Sequence, residues 1–338
     1  MMVGGRPEEE GHVQKDAADT LGIDGLYVDP LWRITVRLTP LERDLLRTWW
    51  VRRLGFVAHA GAATVTTTQS YSRLTHSLGL LSLVAHFAED DEVARAAALV
   101  HDIGHPPFSH TFEGVHGLDH HVLGTERLLA LGDVFARHGV DAEEVDAVER
   151  GRVPSALHGL VGPLRLDHLD SFVRSGRSHG RTRESPPETL TRLRLLDGVV
   201  DTDAGTAAYL RDLVEAEARA HCSPANVVAT GVMRHLAETL LEDLDDASRR
   251  VVAAMTDDEF WTLLLADPRT AEVATSLRRD PAAWRVRPGG PGVSPAAGEI
   301  PFTIRRLYLD LPLVDGRPFP PGEAPDARLS YLLSRGEH

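Results

Sequence analysis

The apolar and polar positions along the chain follow two different periods. In YVDPLWRITVRLTP (27–40), apolar and polar residues alternate, which predicts a short strand pattern that ends at a proline. In the segments 41–60, 75–90 and 91–102, apolar residues recur at three- and four-residue intervals, which predicts helices. The alternation returns in residues 301–319, together with an Asp-Gly turn signal. The fold is therefore predicted to be mainly α, with a short N-terminal strand pair and a small C-terminal extended or β segment.

Breaks in these patterns indicate how the chain is divided. Further helices are predicted from Asp119 to Leu131, from Pro163 to Gly176 and over the region from about Thr189 to Ala266. The Gly/Pro-rich stretch RVRPGGPGVSPAAGE that follows is typical of a linker. The predicted organisation is a loosely ordered N-terminus (1–20), a helical core (21–200), a helical extension packed on the core (201–284), a linker (285–300) and a C-terminal β or extended arm (301–338).

The composition is that of a globular protein with a net acidic charge. The chain has 338 residues, 42% of them hydrophobic, and a single cysteine, Cys222, which excludes an internal disulfide framework and fits a reducing compartment. No apolar run reaches the roughly 18–20 residues of a membrane span, so we expect a cytoplasmic protein without a membrane partner. The net charge of -14 argues against nucleic acid, because phosphate backbones attract clustered Lys and Arg.

Histidines are concentrated in one short part of the chain. Six of the 17 lie between His101 and His121, three of them within ALVHDIGHPPFSHTFEG. Gly104 and the two prolines after His105 end the preceding helix, which puts His101 and Asp102 on its last turn. Imidazole nitrogens and carboxylate oxygens are ligands that suit divalent metal ions. The adjacent pair is therefore a candidate metal site that needs further ligands from other parts of the chain.

Two other segments offer those ligands. His76 lies on the apolar helix SRLTHSLGLL, and Asp167 lies on the polar stripe of LRLDHLDSFVRSG. The order of His76, the 101–102 pair and Asp167 is the H…HD…D signature of the HD-domain metal-dependent phosphohydrolases. In order and spacing, the stretch from about Tyr27 to Gly176 resembles the dNTP triphosphohydrolase branch of that superfamily, which includes the vertebrate enzyme with SAM and HD domains. The string HDIGHPPFSH carries most of this resemblance.

The resemblance implies a fold, a cofactor and a set of site residues. The core at 21–200 would be an HD-domain helical bundle around a divalent ion, either Mn, Fe, Co, Ni, Zn or Mg, and a second ion on His105, His120 or His121 is left open. The implied metal ligands are His76, His101, Asp102 and Asp167. The implied catalytic residues are His120 as general acid, with His105 and Glu113 assisting. The implied phosphate contacts are Arg73, His110, His168 and Arg174.

The residues that would recognise the substrate differ from those of the dNTP triphosphohydrolase branch. Where that branch carries a tyrosine and an aspartate that contact the sugar, this chain has Ser171 and Ser175. We keep Ser171 as a candidate substrate contact, but specificity for deoxynucleotides does not follow from the resemblance.

The predicted activity is hydrolysis of (d)NTP or NTP, with release of phosphate or triphosphate after attack by a metal-activated water. The alternatives are a nucleotide 5'-phosphomonoesterase or pyrophosphohydrolase, a cyclic phosphodiesterase, and a non-catalytic nucleotide-sensing HD protein. The expected partner is a small nucleotide substrate, and the protein is expected to be a homo-oligomer of undefined size.

Overall fold

The computed structural model describes residues 25–159, 163–322 and 329–336, and the prediction for residues 1–20 lies outside them. The described part is mainly helical, which confirms the predicted fold class. Its helices are α1 (Pro40–Arg47), α2 (Trp49–Arg53), α3 (Arg73–Phe87), α4 (Glu92–Val100), α5 (His120–Leu129), α6 (Gly132–Arg137), α7 (Ala142–Glu149), α8 (Leu166–Ser178), α9 (Pro186–Leu190), α10 (Ala204–His221), α11 (Pro224–Leu241), α12 (Asp246–Ala253), α13 (Asp257–Ala266) and α14 (Ala271–Arg279).

The strands form three small sheets. The predicted N-terminal pair is present as β1 (Leu26–Val28) and β2 (Thr35–Arg37), which are antiparallel. A second sheet has the order β3-β4-β7-β8, and a third has the order β5-β9-β6. The remaining strands are β3 (Arg194–Leu196), β4 (Val199–Thr202), β5 (Trp284–Pro288), β6 (Ile300–Thr303), β7 (Leu313–Val314), β8 (Arg317–Pro318) and β9 (Ser330–Arg335).

Several boundaries differ from the sequence pattern for local reasons. The predicted helix over 41–60 is interrupted at Thr48, whose backbone is extended (ψ 150°) and whose hydroxyl donates to the carbonyl of Leu45. Helix α8 begins at Leu166 rather than Pro163, because Pro163 forms a bridge with Leu311 of the C-terminal region. The Gly/Pro-rich stretch after residue 284 starts within a strand, β5, which pairs with β9.

Two apolar clusters position the histidine-rich loop. The first is built on α1, α3, α4 and α8 and includes Ile103, whereas the second is built on α11, α13, α14 and the third sheet and includes Phe108 and Phe112. The loop between α4 and α5 therefore has side chains in both clusters. Because protein interiors are closely packed, this double anchoring restricts how far the loop can shift.

The contact between α3 and α8 is unusually close at Gly79. A Cβ atom on Gly79 would lie 2.1 Å from Nη2 of Arg174 and 2.4 Å from Oδ1 of Asp170. Only a residue without a side chain leaves room for this polar pair against the α3 backbone. The approach brings the polar face of α8 against the turn of α3 that carries His76. None of the described helices is long and apolar enough to cross a membrane.

Candidate metal centre

Three predicted ligands converge from three separate elements. His76 comes from the first turns of α3, His101 caps the C-terminus of α4, and Asp167 is in the first turn of α8. Their ligand atoms all lie within 4.8 Å of one another. Oδ1 of Asp167 is 3.1 Å from Nε2 of His76 and 3.6 Å from Nε2 of His101. This spacing suits three donors that share one divalent ion.

Asp102, the fourth predicted metal ligand, also contacts two neighbouring side chains. Its Oδ1 lies 2.6 Å from Nη1 of Arg73, 3.2 Å from Nε2 of His105 and 3.9 Å from Nε2 of His101. Its Oδ2 is buried and has no hydrogen-bond partner among the described residues. A buried carboxylate oxygen without a partner is costly, and a cation would remove that cost. The donor set therefore fits a bound metal ion.

Carboxylates stand behind both imidazole ligands. Nδ1 of His76 is 2.8 Å from Oδ2 of Asp170, and Nδ1 of His101 is 3.6 Å from Oε1 of Glu149. Asp170 is fully buried and also accepts a hydrogen bond of 2.7 Å from the Trp32 indole. Such partners fix the ring orientation and direct the opposite nitrogen, here Nε2, towards a metal.

The electrostatics of this cluster favour a positive charge at its centre. Burial by itself would lower the pKa of His76, but the hydrogen bonds to Asp167 and Asp170 outweigh it and raise that pKa to about 9. Burial opposes ionisation of Asp102 as well, yet the Arg73 guanidinium holds the pKa of that carboxyl well below its usual range. The ionised carboxylates thus retain their metal-binding form at neutral pH.

Beside the metal centre lies a cluster of three imidazoles, His105, His110 and His120. The His105 and His120 rings are stacked with centroids 4.3 Å apart, and His110 meets them edge-on at 4.6 and 5.0 Å. Nδ1 of His120 is 2.6 Å from Oε2 of Glu113. Burial, reinforced by the Arg73 charge, keeps the pKa values of His105 and His110 well below the usual range. These two rings are therefore neutral at pH 7, and their ligand atoms with that of His120 form a second triplet within 4.8 Å.

Of the remaining predicted phosphate contacts, two lie beside the candidate centre and one does not. Arg73 is buried and donates from Nε to the Ser109 hydroxyl, as well as from Nη1 to Asp102. His168 adjoins the centre, with Nε2 3.6 Å from Oδ2 of Asp167. The structure does not bring Arg174 to the cluster directly. Its buried guanidinium binds Asp170 and Asp29 and reaches His76 only through Asp170.

The region around Ser171 and Ser175 forms a polar wall. Ser171 Oγ is 3.3 Å from Nε2 of His59, and Ser175, one turn further along α8, is hydrogen-bonded to Gln69 and Glu217. Gln69 and Glu217 also line a cavity of about 320 Å³. A carboxylate from α10 therefore occupies a position next to Ser175 that the local sequence of α8 does not reveal.

His59 is a site residue that the sequence patterns missed. Its ring centroid lies 4.6 Å from that of His76 and 5.0 Å from that of Tyr71. Burial keeps its pKa well below the usual range, so the ring is neutral. The sequence signal was absent because His59 has no neighbouring ligand-type residue at helical or strand spacing.

Two buried arginines outside the predicted set of site residues support the histidine-rich loop. Arg53 donates to the carbonyls of His105 (2.8 Å) and Ala254 (2.7 Å), and Arg127 donates to those of Ile103 (2.6 Å) and Ala253 (2.9 Å). The loop carbonyls are thereby tied to the C-terminus of α12, where the helix dipole favours cations. The contacts with α12 span 126 and 201 residues of sequence and have no local signature.

Comparison with known proteins finds a domain family that matches part of the candidate site. Residues 73–158 match the model of the HD domain family. The chain is 27% identical over 340 residues to a metal-dependent phosphohydrolase of Cordyceps militaris, an alignment that covers 88% of this chain and 90% of the relative. It is 38% identical over 87 residues to deoxyguanosinetriphosphate triphosphohydrolase-like protein 1 of Mesorhizobium japonicum, covering 22% of this chain and 20% of that protein.

Other relatives match over part of their length or in fold alone. An uncharacterised protein of Bacillus subtilis is 32% identical over 184 residues, covering 47% of this chain and 42% of its own, so the chain spans less than half of that relative. The crystal structure of a phosphohydrolase from Bacteroides thetaiotaomicron has a similar fold, with a TM-score of 0.68, 15% identity, and coverage of 93% of this chain and 100% of that chain. These findings confirm the resemblance inferred from the sequence.

Proposed function

Starting from a chain that carries an HD domain over residues 73–158, we propose that it is a metal-dependent phosphohydrolase that cleaves nucleotide phosphates. The observation that carries the proposal is the placement of two groups side by side: the His76, His101 and Asp167 ligand triplet and the hydrogen-bonded pair of His120 and Glu113. The first group suits a divalent cation, and the second suits proton transfer. Both are needed to hydrolyse a phosphoric ester or anhydride at neutral pH.

The metal site is assigned to His76, His101, Asp102 and Asp167. A divalent ion held there would supply positive charge to a phosphoryl group and lower the pKa of a water molecule. Asp170 and Glu149 hold the two imidazoles from behind, so that the ligand directions are set before anything binds. Histidine and carboxylate donors suit Mn, Fe, Co, Ni, Zn and Mg, so the choice of ion is left to experiment.

The imidazole cluster is assigned to phosphate binding and proton transfer. His105 and His110 are neutral, and His110 is the exposed ring of the two, so it can donate its single N–H to a phosphoryl oxygen without a charge to desolvate. Nε2 of the buried His105 lies 3.2 Å from Oδ1 of Asp102, so its N–H serves that carboxylate and His105 is assigned to assisting the cluster. Glu113 holds Nδ1 of His120, which leaves Nε2 as the atom that delivers a proton to the leaving oxygen. Arg73 is assigned to the phosphate as well, acting from its position beside Asp102.

The nucleoside end is assigned to the face of α8 that leads away from the metal centre. Asp167 and Ser171 are four residues apart, about 6 Å along the helix, and Ser175 is about 6 Å further. This spacing matches the distance from a phosphate to a sugar and base. His168 adjoins Asp167 and is kept as a phosphate contact, whereas Arg174 is assigned to holding Asp170.

Two alternative functions, a different phosphohydrolase and a non-catalytic sensor, are less well supported. A 5'-phosphomonoesterase or pyrophosphohydrolase would use the same centre on fewer phosphates, and the resemblance to a triphosphohydrolase-like relative favours the triphosphate substrate. A non-catalytic nucleotide sensor would have no use for the 2.6 Å pair of Glu113 and His120. The cytoplasmic location and the homo-oligomeric state stay predictions from the sequence.

The proposal is tested by product analysis. Protein loaded in turn with Mn, Fe, Co and Mg is incubated with nucleoside mono-, di- and triphosphates and cyclic nucleotides, and products are resolved by ion-exchange chromatography. Release of intact triphosphate identifies a triphosphohydrolase, stepwise phosphate release identifies a phosphatase, and no turnover of any nucleotide contradicts the proposal.

Two substitutions assign the activity to this site. Asp102→Ala is expected to remove both bound metal and turnover, whereas His120→Gln is expected to retain metal and lose about 100-fold or more in kcat. His86→Gln, at the far end of α3, serves as the control and is expected to change neither property.

A further inference from the structure

A segment from the C-terminal part of the chain crosses the candidate site. Residues 304–312, called the crossing segment below, connect β6 of one sheet to β7 of another. The segment is held at both ends: the backbone N–H of Ile304 donates to Leu329 (2.7 Å), and the carbonyl of Leu311 accepts from Leu164, just before α8 (2.7 Å). Its path between two sheets is thus determined by pairing on either side.

One end of the crossing segment contacts the proton-transfer side of the site. Nη1 of Arg305 donates a hydrogen bond of 2.6 Å to the carbonyl of Glu113, whose carboxylate holds His120. The guanidinium lies against Gly114, where a Cβ atom would come within 2.5 Å of Nη1. Gly114 also has a φ of +72°, a conformation that glycine adopts without strain. The backbone here leaves a notch that the Arg305 side chain occupies.

The other end contacts the metal side. The Tyr308 ring lies 4.9 Å from the ring of His168, and Oδ2 of Asp310 is 2.7 Å from Nδ1 of the same histidine. His168 in turn adjoins the metal ligand Asp167. Burial raises the pKa of Tyr308, and the charges of Asp167 and Glu113 add to that rise, which agrees with a position between the two sides.

Two cationic groups are therefore presented at the rim of the site. Arg306 lies over the face of Tyr308, with 4.7 Å from Cζ to the ring centroid, an arrangement that positions a guanidinium while leaving its N–H groups available. Arg305 and Arg306 are both exposed, and within the described ranges neither forms an ion pair with a carboxylate. Their charge is available for an anion that approaches the metal centre.

We propose that Arg305 and Arg306 bind the phosphates of the substrate that lie beyond the phosphoryl group at the metal centre. In the proposed function that first phosphoryl group is bound by Arg73 and His110, so two more guanidiniums at the rim serve additional negative charges. Arginine suits this task because its planar fork matches pairs of phosphate oxygens. The inference rests on the proposed function and narrows it: the substrate is a nucleoside polyphosphate and not a monophosphate.

Binding of inorganic phosphates tests the inference without turnover. Full-length protein, both Mn-loaded and metal-free, is titrated calorimetrically with inorganic tripolyphosphate and with orthophosphate. In Arg305→Ala/Arg306→Ala, the dissociation constant for tripolyphosphate is expected to rise about 10- to 100-fold or more, while that for orthophosphate stays within about twofold. Arg305→Lys/Arg306→Lys is expected to recover part of the loss, because it retains charge without the planar fork.

A charge-matched control separates a local from a general electrostatic effect. Arg279→Ala/Arg317→Ala removes two exposed positive charges elsewhere on the surface and is expected to leave both affinities unchanged. Equal weakening of tripolyphosphate in this control, equal weakening of both phosphates in the test variant, or no change at all would each overturn the inference. Should the test variant fold poorly by circular dichroism, Arg305→Gln and Arg306→Gln are measured singly by the same criterion.

Turnover distinguishes this inference from the proposed function. If nucleoside triphosphates are hydrolysed, the Ala variant is expected to raise KM for triphosphate by the same factor as the dissociation constant, with a smaller change in kcat. Hydrolysis with unchanged KM would overturn the inference and leave the proposed function intact. Arginine-dependent binding of tripolyphosphate without hydrolysis of any nucleotide would contradict the proposed function and retain the polyphosphate site.

Discussion

Nδ1 of His76 lies 2.8 Å from Oδ2 of Asp170, a buried carboxylate one turn along α8 from the proposed metal ligand Asp167. Helix α8 thus contributes Asp167 to the candidate metal centre, and it also contributes Asp170, which binds the opposite side of the His76 ring from α3. The arrangement depends on Gly79, because any side chain there would collide with Asp170 and Arg174. The orientation of the His76 ring therefore depends on the close packing of α3 against α8.

Replacing Asp170 is expected to weaken metal binding. In Asp170→Asn the charge behind His76 is removed, and the metal dissociation constant should rise about 10- to 100-fold, as is typical when the carboxylate partner of a histidine ligand is lost. Competition with a chromophoric chelator measures this constant. Glu149→Gln, behind His101, should act in the same direction but less, since its contact is longer (3.6 Å).

The surface pair of Asp44 and His138, also a carboxylate beside an imidazole at 2.9 Å, provides the matched control. Asp44→Asn should leave the metal affinity unchanged. Wild-type affinity in Asp170→Asn would mean that packing alone orients His76.

Two glycines in contact are expected to respond oppositely to alanine. A Cβ atom on Gly104 would lie 2.0 Å from the carbonyl oxygen of His120, whereas a Cβ on Gly124 would come no closer than 3.7 Å to the backbone of Gly104. Gly104→Ala must push the loop away from α5 and should cost about 1–3 kcal/mol of unfolding free energy, together with kcat. Gly124→Ala, inside α5, should be neutral or stabilising by up to about 1 kcal/mol. Urea denaturation and steady-state kinetics measure both, and equal effects would contradict the close approach.

The buried guanidinium of Arg53 is expected to contribute strongly to stability. Arg53→Met leaves the carbonyls of Ala254 and Met255 without their side-chain donor and removes the shorter of the two arginine contacts to the carbonyl of His105, which should cost about 3 kcal/mol or more. Arg52→Met, at the exposed neighbouring position, should change stability by no more than about 0.5 kcal/mol. Chemical denaturation compares the two variants, and a similar small effect for both would show that the carbonyls find other donors.

Asp257 is expected to make stability depend on pH. Its carboxylate accepts hydrogen bonds from the backbone N–H groups of Phe108 (2.7 Å) and Ala58 (2.8 Å), yet burial raises its pKa to about 6. Because the folded-state pKa exceeds the unfolded value, the contribution is full below about pH 4 and is lost as the pH rises through 6. The loss amounts to about 2–3 kcal/mol.

The free energy of unfolding of wild type relative to Asp257→Asn isolates this effect, since other titrating groups cancel. That difference should fall by about 2 kcal/mol between pH 4.5 and pH 7.5. A difference that does not vary with pH would show that Asp257 stays ionised throughout.

Local patterns were sufficient for much of the fold. Apolar periodicity predicted the helices that became α3 and α4, and alternation predicted the pairing of β1 with β2, because both signals arise within a few residues of sequence. Helix limits were less well predicted. Pro163 was expected to start α8, but its pairing with Leu311, nearly 150 residues away, moves the start to Leu166.

Some residues of the candidate site could likewise be selected from the sequence, and others could not. His101, Asp102, His105, His110 and Glu113 could be selected from sequence alone because one short loop carries them, and His76 and Asp167 followed from the order of a known signature. The assigned roles stay predictions. The part played by Arg174 was not anticipated. Asp170 is its neighbour at i,i+4 on α8, but its second partner, Asp29, lies 145 residues away just after β1 and reaches α8 only through tertiary packing.

By itself, then, the sequence determined a mainly helical chain with an HD domain and a histidine-rich loop that carries candidate metal ligands, since those features depend on neighbours along the chain. Only the tertiary structure decided which carboxylates stand behind His76 and His101, that Arg53 holds the loop, and that Arg305 and Tyr308 border the site. The reason is physical: each of these contacts joins residues far apart in sequence. Their side chains come into contact because close packing of apolar faces brings separate elements together, and local sequence patterns do not predict such contacts.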